Sequence, residues 1–251
     1  MIGPSEVVAS FDDPADNLAF DEALLRAAPE APVLWIWRNT DAVVVGRGQK
    51  IEREVKADVC AADGVPVLRR ASGGGTVFHD PGNLNITLVL PGLGLAAKAV
   101  KPLEALGELM TATVAELGLP SRLGDRGLFV GDAKLCGFAV FRTRTGLLAH
   151  STLLVSTAAE RVGRYLTSAP ADPRPLDSHR SPVASLAEHG LRKGVAEVTA
   201  AVRVAAAARL GELATRKPSA EEREWHRSLR HTRYGYPEWH SEGAQRPASQ
   251  G

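Results

Sequence analysis

Residues 68–90 read LRRASGGGTVFHDPGNLNITLVL, and the reading of this stretch decides the rest. Arg69 and Arg70 lead into Ser72 and three successive glycines, Gly73, Gly74 and Gly75. Thr76-Val77-Phe78 follows, then the polar pair His79-Asp80, a Pro81-Gly82 turn, and an alternating run that starts at Asn83. Glycines in series let backbone N–H groups face a ligand without Cβ obstruction, and they accept positive φ. The arginine pair at the mouth of such a loop supplies fixed charge for a carboxylate or a phosphate. On its own, the run also fits a glycine-rich hairpin flanked by salt-bridged arginines.

Working outward, residues 65–70 form the strand feeding the loop, and 83–90 alternate as a half-buried strand does. Upstream, 6–11, 33–38 and 42–46 read as strands. Asp13-Pro14 gives an N-cap and a first-turn proline for a helix over 14–28. A helix over 52–63 ends at Gly64, with Cys60 inside it as a buried small hydrophobe. Downstream, 102–117 is amphipathic and stops at Gly118. Residues 131–156, GDAKLCGFAVFRTRTGLLAHSTLLVS, read as a hairpin turning around 143–146. Lys134 opens its first strand and His150 sits in its second; a strand-end lysine alone also fits a solvated charge. The pattern turns helical after Glu160, and a proline-rich loop covers 169–182. Helices are expected over 195–210 and 221–229, and 241–251 reads as a disordered polar tail.

The bulk numbers set limits. A chain of 251 residues with 44% hydrophobic content can bury a substantial core. A formal net charge of +1 gives no global field to recruit nucleic acid or membrane. Cys60 and Cys136 fit no metal spacing and suggest a reducing compartment. The N-terminus has neither a basic region nor an apolar core, and no run reaches a membrane-spanning length, so a cytoplasmic protein is expected.

Several of these strings share a pattern. The 68–90 stretch resembles the glycine-loop motif of lipoate–protein ligases, RRxSGGGAVFHDxGNxN, in the superfamily that also holds biotin ligases and octanoyltransferases. IWRNTDAVVVGRGQK resembles that family's WRNxxxVVxGRxQ block. In the hairpin, Lys134, Gly137, Ala139, Gly146, Leu148, His150, Thr152, Leu153 and Leu154 fall in register with GxKIxGxAxxxxxxGxLxHGTLL. SHRSPVASL and RYGYPEWH resemble the later VxSRVxxL and kYxxxeW segments. The likeness covers roughly residues 5 to 240, and its strict parts are the first and third blocks. It implies one catalytic domain over 1–240, of α/β (α+β) class, with a mixed, largely antiparallel sheet flanked by helices as in biotin/lipoate ligase cores.

The resemblance also implies chemistry. A carboxylic acid is activated by ATP as an acyl-adenylate, with Mg²⁺ accompanying the nucleotide, and is then passed to a lysine of a lipoyl-type carrier domain. Lys134 would contact both the acyl carboxylate and the α-phosphate. Arg70, Ser72, Gly73, Gly74, Gly75, Thr76, Val77, Phe78, His79, Asn83, Gly137 and His150 would form the substrate and nucleotide site. Arg47, with Gln49 nearby, would sit by the acyl chain, and Cys136 and Phe138 would line or shorten its tunnel.

The departures count as well. Where ligases of this family carry an Asn-Asp pair for phosphate and metal, this chain has Arg126-Gly127; Asp125 or Asp132 could substitute. Cys136 and Phe138 stand where small residues are expected, and Ser151 replaces a glycine. The ending soon after Trp239 suggests a separate accessory subunit, or a member performing only acyl transfer. An alternative activity is therefore an ATP-independent octanoyl or lipoyl transferase working through a Cys136 thioester. Residues i and i+2 of a strand share a face, which would put Cys136 beside Lys134. A further alternative is a non-catalytic acyl- or adenylate-binding module. Biotin is disfavoured, because no GRGRxGRxW-like loop is present.

Overall fold

A computed structural model describes residues 3–92 and 101–245. The strands are β1 (Ser5–Val7), β2 (Val33–Trp37), β3 (Ala42–Val45), β4 (Val67–Arg69), β5 (Val77–His79), β6 (Asn83–Pro91), β7 (Arg122–Gly124), β8 (Gly127–Val130), β9 (Ala133–Arg142), β10 (Gly146–Leu154) and β11 (Ala214–Arg216). The helices are α1 (Pro14–Arg26), α2 (Ile51–Glu54), α3 (Ala57–Ala62), α4 (Pro102–Glu116), α5 (Ala159–Tyr165), α6 (Val195–Leu210), α7 (Ala220–Leu229) and α8 (Pro237–Glu242), with a π-helical turn at Arg230–Tyr234.

One mixed sheet runs β11-β1-β2-β6-β10-β9-β8-β7, parallel at β11-β1-β2 and antiparallel beyond. A second sheet, β4-β3-β5, carries the glycine loop between β4 and β5. The expected mixed, largely antiparallel fold flanked by helices is the one found.

Side-chain alternation divides the large sheet into two faces. One face sends Leu34, Ile86, Cys136, Phe138, Ala149 and Leu153 into a core with α4 and α6. The opposite face carries Trp35, Trp37, Val89 and Leu148 against α1. In register with these, Trp37, Asn85, Thr152 and Gly137 make one row across four strands. Helix α1 starts as its sequence predicts: the Asp13 side chain accepts from the Ala15 N–H at 2.8 Å, with Pro14 in the first turn.

Several expectations needed correction. The first strand spans Ser5–Val7 rather than 6–11; Val8 makes one last bond, to the Arg216 carbonyl at 2.9 Å, and its side chain is already 54% exposed. The helix expected over 52–63 is broken in two by Val55, which is extended (φ −129°, ψ 137°), buried, and bridged to Leu166. Ser241 and Glu242 are not tail but the last turn of α8, and Arg69 donates to the Ser241 carbonyl at 2.9 Å. The remainder of the expected tail, 246–251, lies outside the described residues. The hairpin of β9 and β10 turns where expected, closed by a Thr143 N–H to Gly146 carbonyl bond of 2.9 Å.

Candidate active site

The glycine loop is built from underneath by Arg70. This guanidinium is 6% exposed and donates to the carbonyls of Val44 (3.2 Å), Gly73 (2.5 Å) and Gly75 (2.9 Å) and to Ser72 Oγ (2.9 Å). Burial lowers its pKa to about 10. Arg70 therefore braces the loop from within while also lining the cavity beside it. Pulling the Gly73 and Gly75 carbonyls toward Arg70 leaves the N–H groups of Gly73, Gly74 and Gly75 without a protein acceptor among the described residues. Gly74 adopts φ +87°, and Gly46 lies so close that a Cβ there would collide with the Gly74 carbonyl.

Two hydrogen-bonded chains hold the loop against the sheet. In the first, Asp21 and His150 pair at 2.7 Å, His150 Nε2 meets Ser72 Oγ at 2.7 Å, and Ser72 receives Arg70. With Nδ1–H directed at the Asp21 carboxylate, Nε2 accepts the Ser72 hydroxyl proton. In the second, Asn39 Nδ2 donates to His79 Nδ1 at 2.9 Å, and His79 Nε2 lies 3.3 Å from Thr152 Oγ1. Burial drives the His79 pKa down to about 3, which keeps this ring neutral.

Lys134 opens β9, and a bulge decides where it points. Cys136 pairs with Leu128 and Lys134 with Phe129, so Leu135 is an extra residue. Leu135 and Cys136 both enter the α4/α6 core, and Lys134 is turned to the face of Gly137, where its Cε lies 3.9 Å from a Cβ built at that glycine. Its ammonium has no carboxylate partner among the described residues, and burial lowers its pKa from the usual lysine value. Cys136 is turned into the α4/α6 core: it is 1% exposed, and burial pushes its thiol up to about 12. The Phe138 ring packs near Gly107 of α4, while the residue also contributes to the lining of the site cavity.

The glycine loop, Lys134 and the β6–β10–β9 face enclose a cavity of about 880 Å³. Its walls include Leu18, Trp37, Thr76, Val77, Ala139 and His150. Arg47, expected by the acyl chain, is placed outside this lining: its guanidinium stacks over Trp239 at 4.4 Å and donates to the Gly243 carbonyl at 2.7 Å, tying it to α8. Asn83 is fully buried and donates to the Leu153 carbonyl at 3.2 Å instead of reaching the cavity. The Phe78 ring is stacked on Tyr165 at 4.8 Å.

The sequence reading underrated the strap formed by the proline-rich segment. Gln49 accepts from the Gly46 N–H (3.0 Å) and from Thr76 Oγ1 (2.8 Å) and donates to Ser178 Oγ (2.9 Å). Ser178 also accepts from the Thr76 N–H at 2.8 Å, and Glu54 binds both the Ser178 N–H (2.7 Å) and Arg180 (2.6 Å). Gln49 carried a signal as the last residue of the WRN block, Thr76 as part of the glycine-loop motif, and Ser178 and Arg180 lie in the SHRSPVASL string, but nothing local linked them to one another. Among the described residues, no group of three or more His, Cys, Asp or Glu side chains could hold a metal. Of the cavity's two aspartates, Asp177 is ion-paired with Arg53 at 2.6 Å, which leaves Asp125.

Known proteins resemble the chain in sequence and in fold. Lipoate-protein ligase A of Psychrobacter cryohalolentis is 35% identical over 180 residues, 70% of this chain and 51% of that protein. The chain spans about half the length of the curated relatives it matches. Among solved structures, the bi-partite lipoate protein ligase of Thermoplasma acidophilum, studied with its E2 lipoyl domain, superposes with a TM-score of 0.85 at 24% identity, covering 99% of both chains. A lipoate-protein ligase A bound with ATP gives 0.83 at 23% identity, covering 96% of this chain and 99% of the other. Because the family model for the lipoyl protein ligase A/B catalytic domain matches residues 13–207, the chain belongs to that family.

Proposed function

We propose that this protein activates lipoate, or a similar carboxylic acid, with ATP and transfers the acyl group to a lysine of a lipoyl-type carrier domain. The observation that carries this reading is Lys134, an uncommitted, largely buried ammonium that shares one cavity with the free N–H groups of the glycine loop. Neither half-reaction needs an enzyme nucleophile. In the first, a carboxylate oxygen bonds to the α-phosphorus while the bond to the β-phosphate oxygen breaks, releasing pyrophosphate. In the second, the carrier lysine attacks the acyl carbon, loses a proton, and AMP departs with the bonding pair.

Both steps build negative charge on phosphate or carbonyl oxygens, and preorganised donors in a low-dielectric site lower their barriers. Lys134, a compact cation with three donors, can bridge carboxylate and α-phosphate. The glycine N–H groups suit the phosphate oxygens. Trp37, Leu18 and Ala139 give the cavity apolar walls for an acyl chain. Mg²⁺ accompanying ATP would take most of its ligands from phosphate and water, with Asp125 as the available carboxylate, and would neutralise phosphate charge. The likeness to lipoate-protein ligase A of Psychrobacter cryohalolentis and to a lipoate-protein ligase A bound with ATP supports this reading.

The transferase alternative requires a reachable thiolate, and Cys136 lies on the opposite face of β9 with its thiol held protonated. The test is incubation with Mg-ATP, lipoate and a lipoyl domain, read by intact mass. Addition of one lipoyl group to the domain, lost when ATP is omitted, is expected. Acylation from an acyl-carrier thioester without ATP would overturn the reading.

A further inference from the structure

Arg126 combines three features that no contact within the fold accounts for. It closes the tight turn between β7 and β8 with φ +52°, a conformation that a long L side chain seldom adopts and asparagine tolerates far better. Its guanidinium has no ion pair, hydrogen bond or aromatic partner among the described residues. It lines the cavity beside Lys134, near enough for its charge to weigh on that lysine. The backbone holds the residue in place, since the Arg126 carbonyl accepts the Phe138 N–H at 2.9 Å and so ties the turn to the site strand.

Two unpaired cations at one end of a cavity, facing a loop of free N–H groups, form a site for more than a single negative charge. Of the two aspartates among the described residues that line the cavity, Asp177 is held by Arg53, and Asp125 offsets at most one of the cations. The donors available here are poor in carboxylates and rich in guanidinium and ammonium.

We infer that Arg126 is a polyphosphate-binding residue, which neutralises charge on the nucleotide's phosphates directly and lets ATP bind in part without a divalent cation. This rests on the proposed ATP-dependent function and deepens it. Arginine suits the task because it stays charged and offers paired donors to phosphate oxygens. The backbone strain at this position is then retained for binding rather than for stability.

The test measures ATP and adenosine affinity by calorimetry at fixed ionic strength, in excess EDTA and again with Mg²⁺. Arg126→Asn removes the charge and relieves the backbone, so it should melt at or above the wild-type temperature. In EDTA it should bind ATP about tenfold or more weakly, with adenosine affinity unchanged. Arg126→Lys should fall between the two. Arg122→Ala, which removes a nearby cation outside the cavity, should leave ATP affinity as it was. Equal ATP affinity for wild type and Arg126→Asn would overturn the inference alone, as would an equal loss for adenosine. Failure of the wild type to bind ATP with or without Mg²⁺ would overturn both this inference and the proposed function.

Discussion

Lys134 and Cys136 stand two residues apart on one strand and point to opposite faces of the sheet. The extra residue Leu135 in the β8–β9 ladder reverses the alternation, placing the ammonium in the cavity and the thiol in the α4/α6 core. A one-residue slip exchanges the faces of everything that follows it. Cys136→Ala should therefore keep kcat within about threefold of wild type and cost about 1 kcal/mol of stability through a small core void. Loss of turnover by a hundredfold in a folded variant would restore a thiol mechanism.

The chain Asp21–His150–Ser72–Arg70 keeps the glycine loop in shape, so its members should act through the loop. Asp21→Asn and Ser72→Ala each break one link and leave a buried polar group unpaired, at a cost of about 1–3 kcal/mol. The expected signature is a raised KM for ATP, with the acid's KM less affected. Steady-state kinetics with each substrate varied in turn would show it, and an unchanged ATP KM would argue against the brace.

Gly46 and Gly75 are needed for lack of a side chain. A Cβ at Gly46 would strike the Gly74 carbonyl, and one at Gly75 would come within 2.9 Å of Ser178 Oγ. Gly46→Ala should lower the unfolding free energy by about 1–3 kcal/mol, as overpacking does. Gly75→Ala should act mainly by displacing the strap, giving a smaller stability loss and more proteolysis within 169–182. Equal thermal stability of Gly46→Ala and wild type would contradict the close approach.

Lys134 costs the fold stability in its charged form. Burial lowers its pKa below the ordinary lysine value, so between the lowered value and the unfolded value the unfolded chain binds more protons and stability rises with pH. Below the lowered value the whole cost is present. Lys134→Met should therefore melt higher than wild type at pH 7, with the advantage shrinking as pH approaches the unfolded lysine pKa. Its activity should fall by about a hundredfold or more. A variant less stable than wild type at pH 7 would refute a net cost of burial.

Much of this site was legible in residues 68–90 and 131–156, because glycine runs, arginines and a strand-end lysine carry their chemistry locally. The caps at Asp13 and Gly118 were legible for the same reason. What escaped the reading depends on distance. The bulge at Leu135 is invisible in a pattern of apolar residues, since Leu135 and Cys136 both suit a core. Strands β5, β7, β8 and β11 run three or four residues, too short to show a period. Nothing in the sequence shows that the Arg70 donors end on carbonyls of its own loop. The Gln49–Ser178 bond joins residues 129 positions apart, and no local signal announces it.

The most direct test of the adenylation chemistry is pyrophosphate release by the purified protein with Mg-ATP and lipoate, compared with Lys134→Met. The account predicts release that requires the acid and falls by about a hundredfold or more in the variant. Acid-dependent release that persists in Lys134→Met, or acyl transfer to the carrier with no pyrophosphate formed, would contradict it.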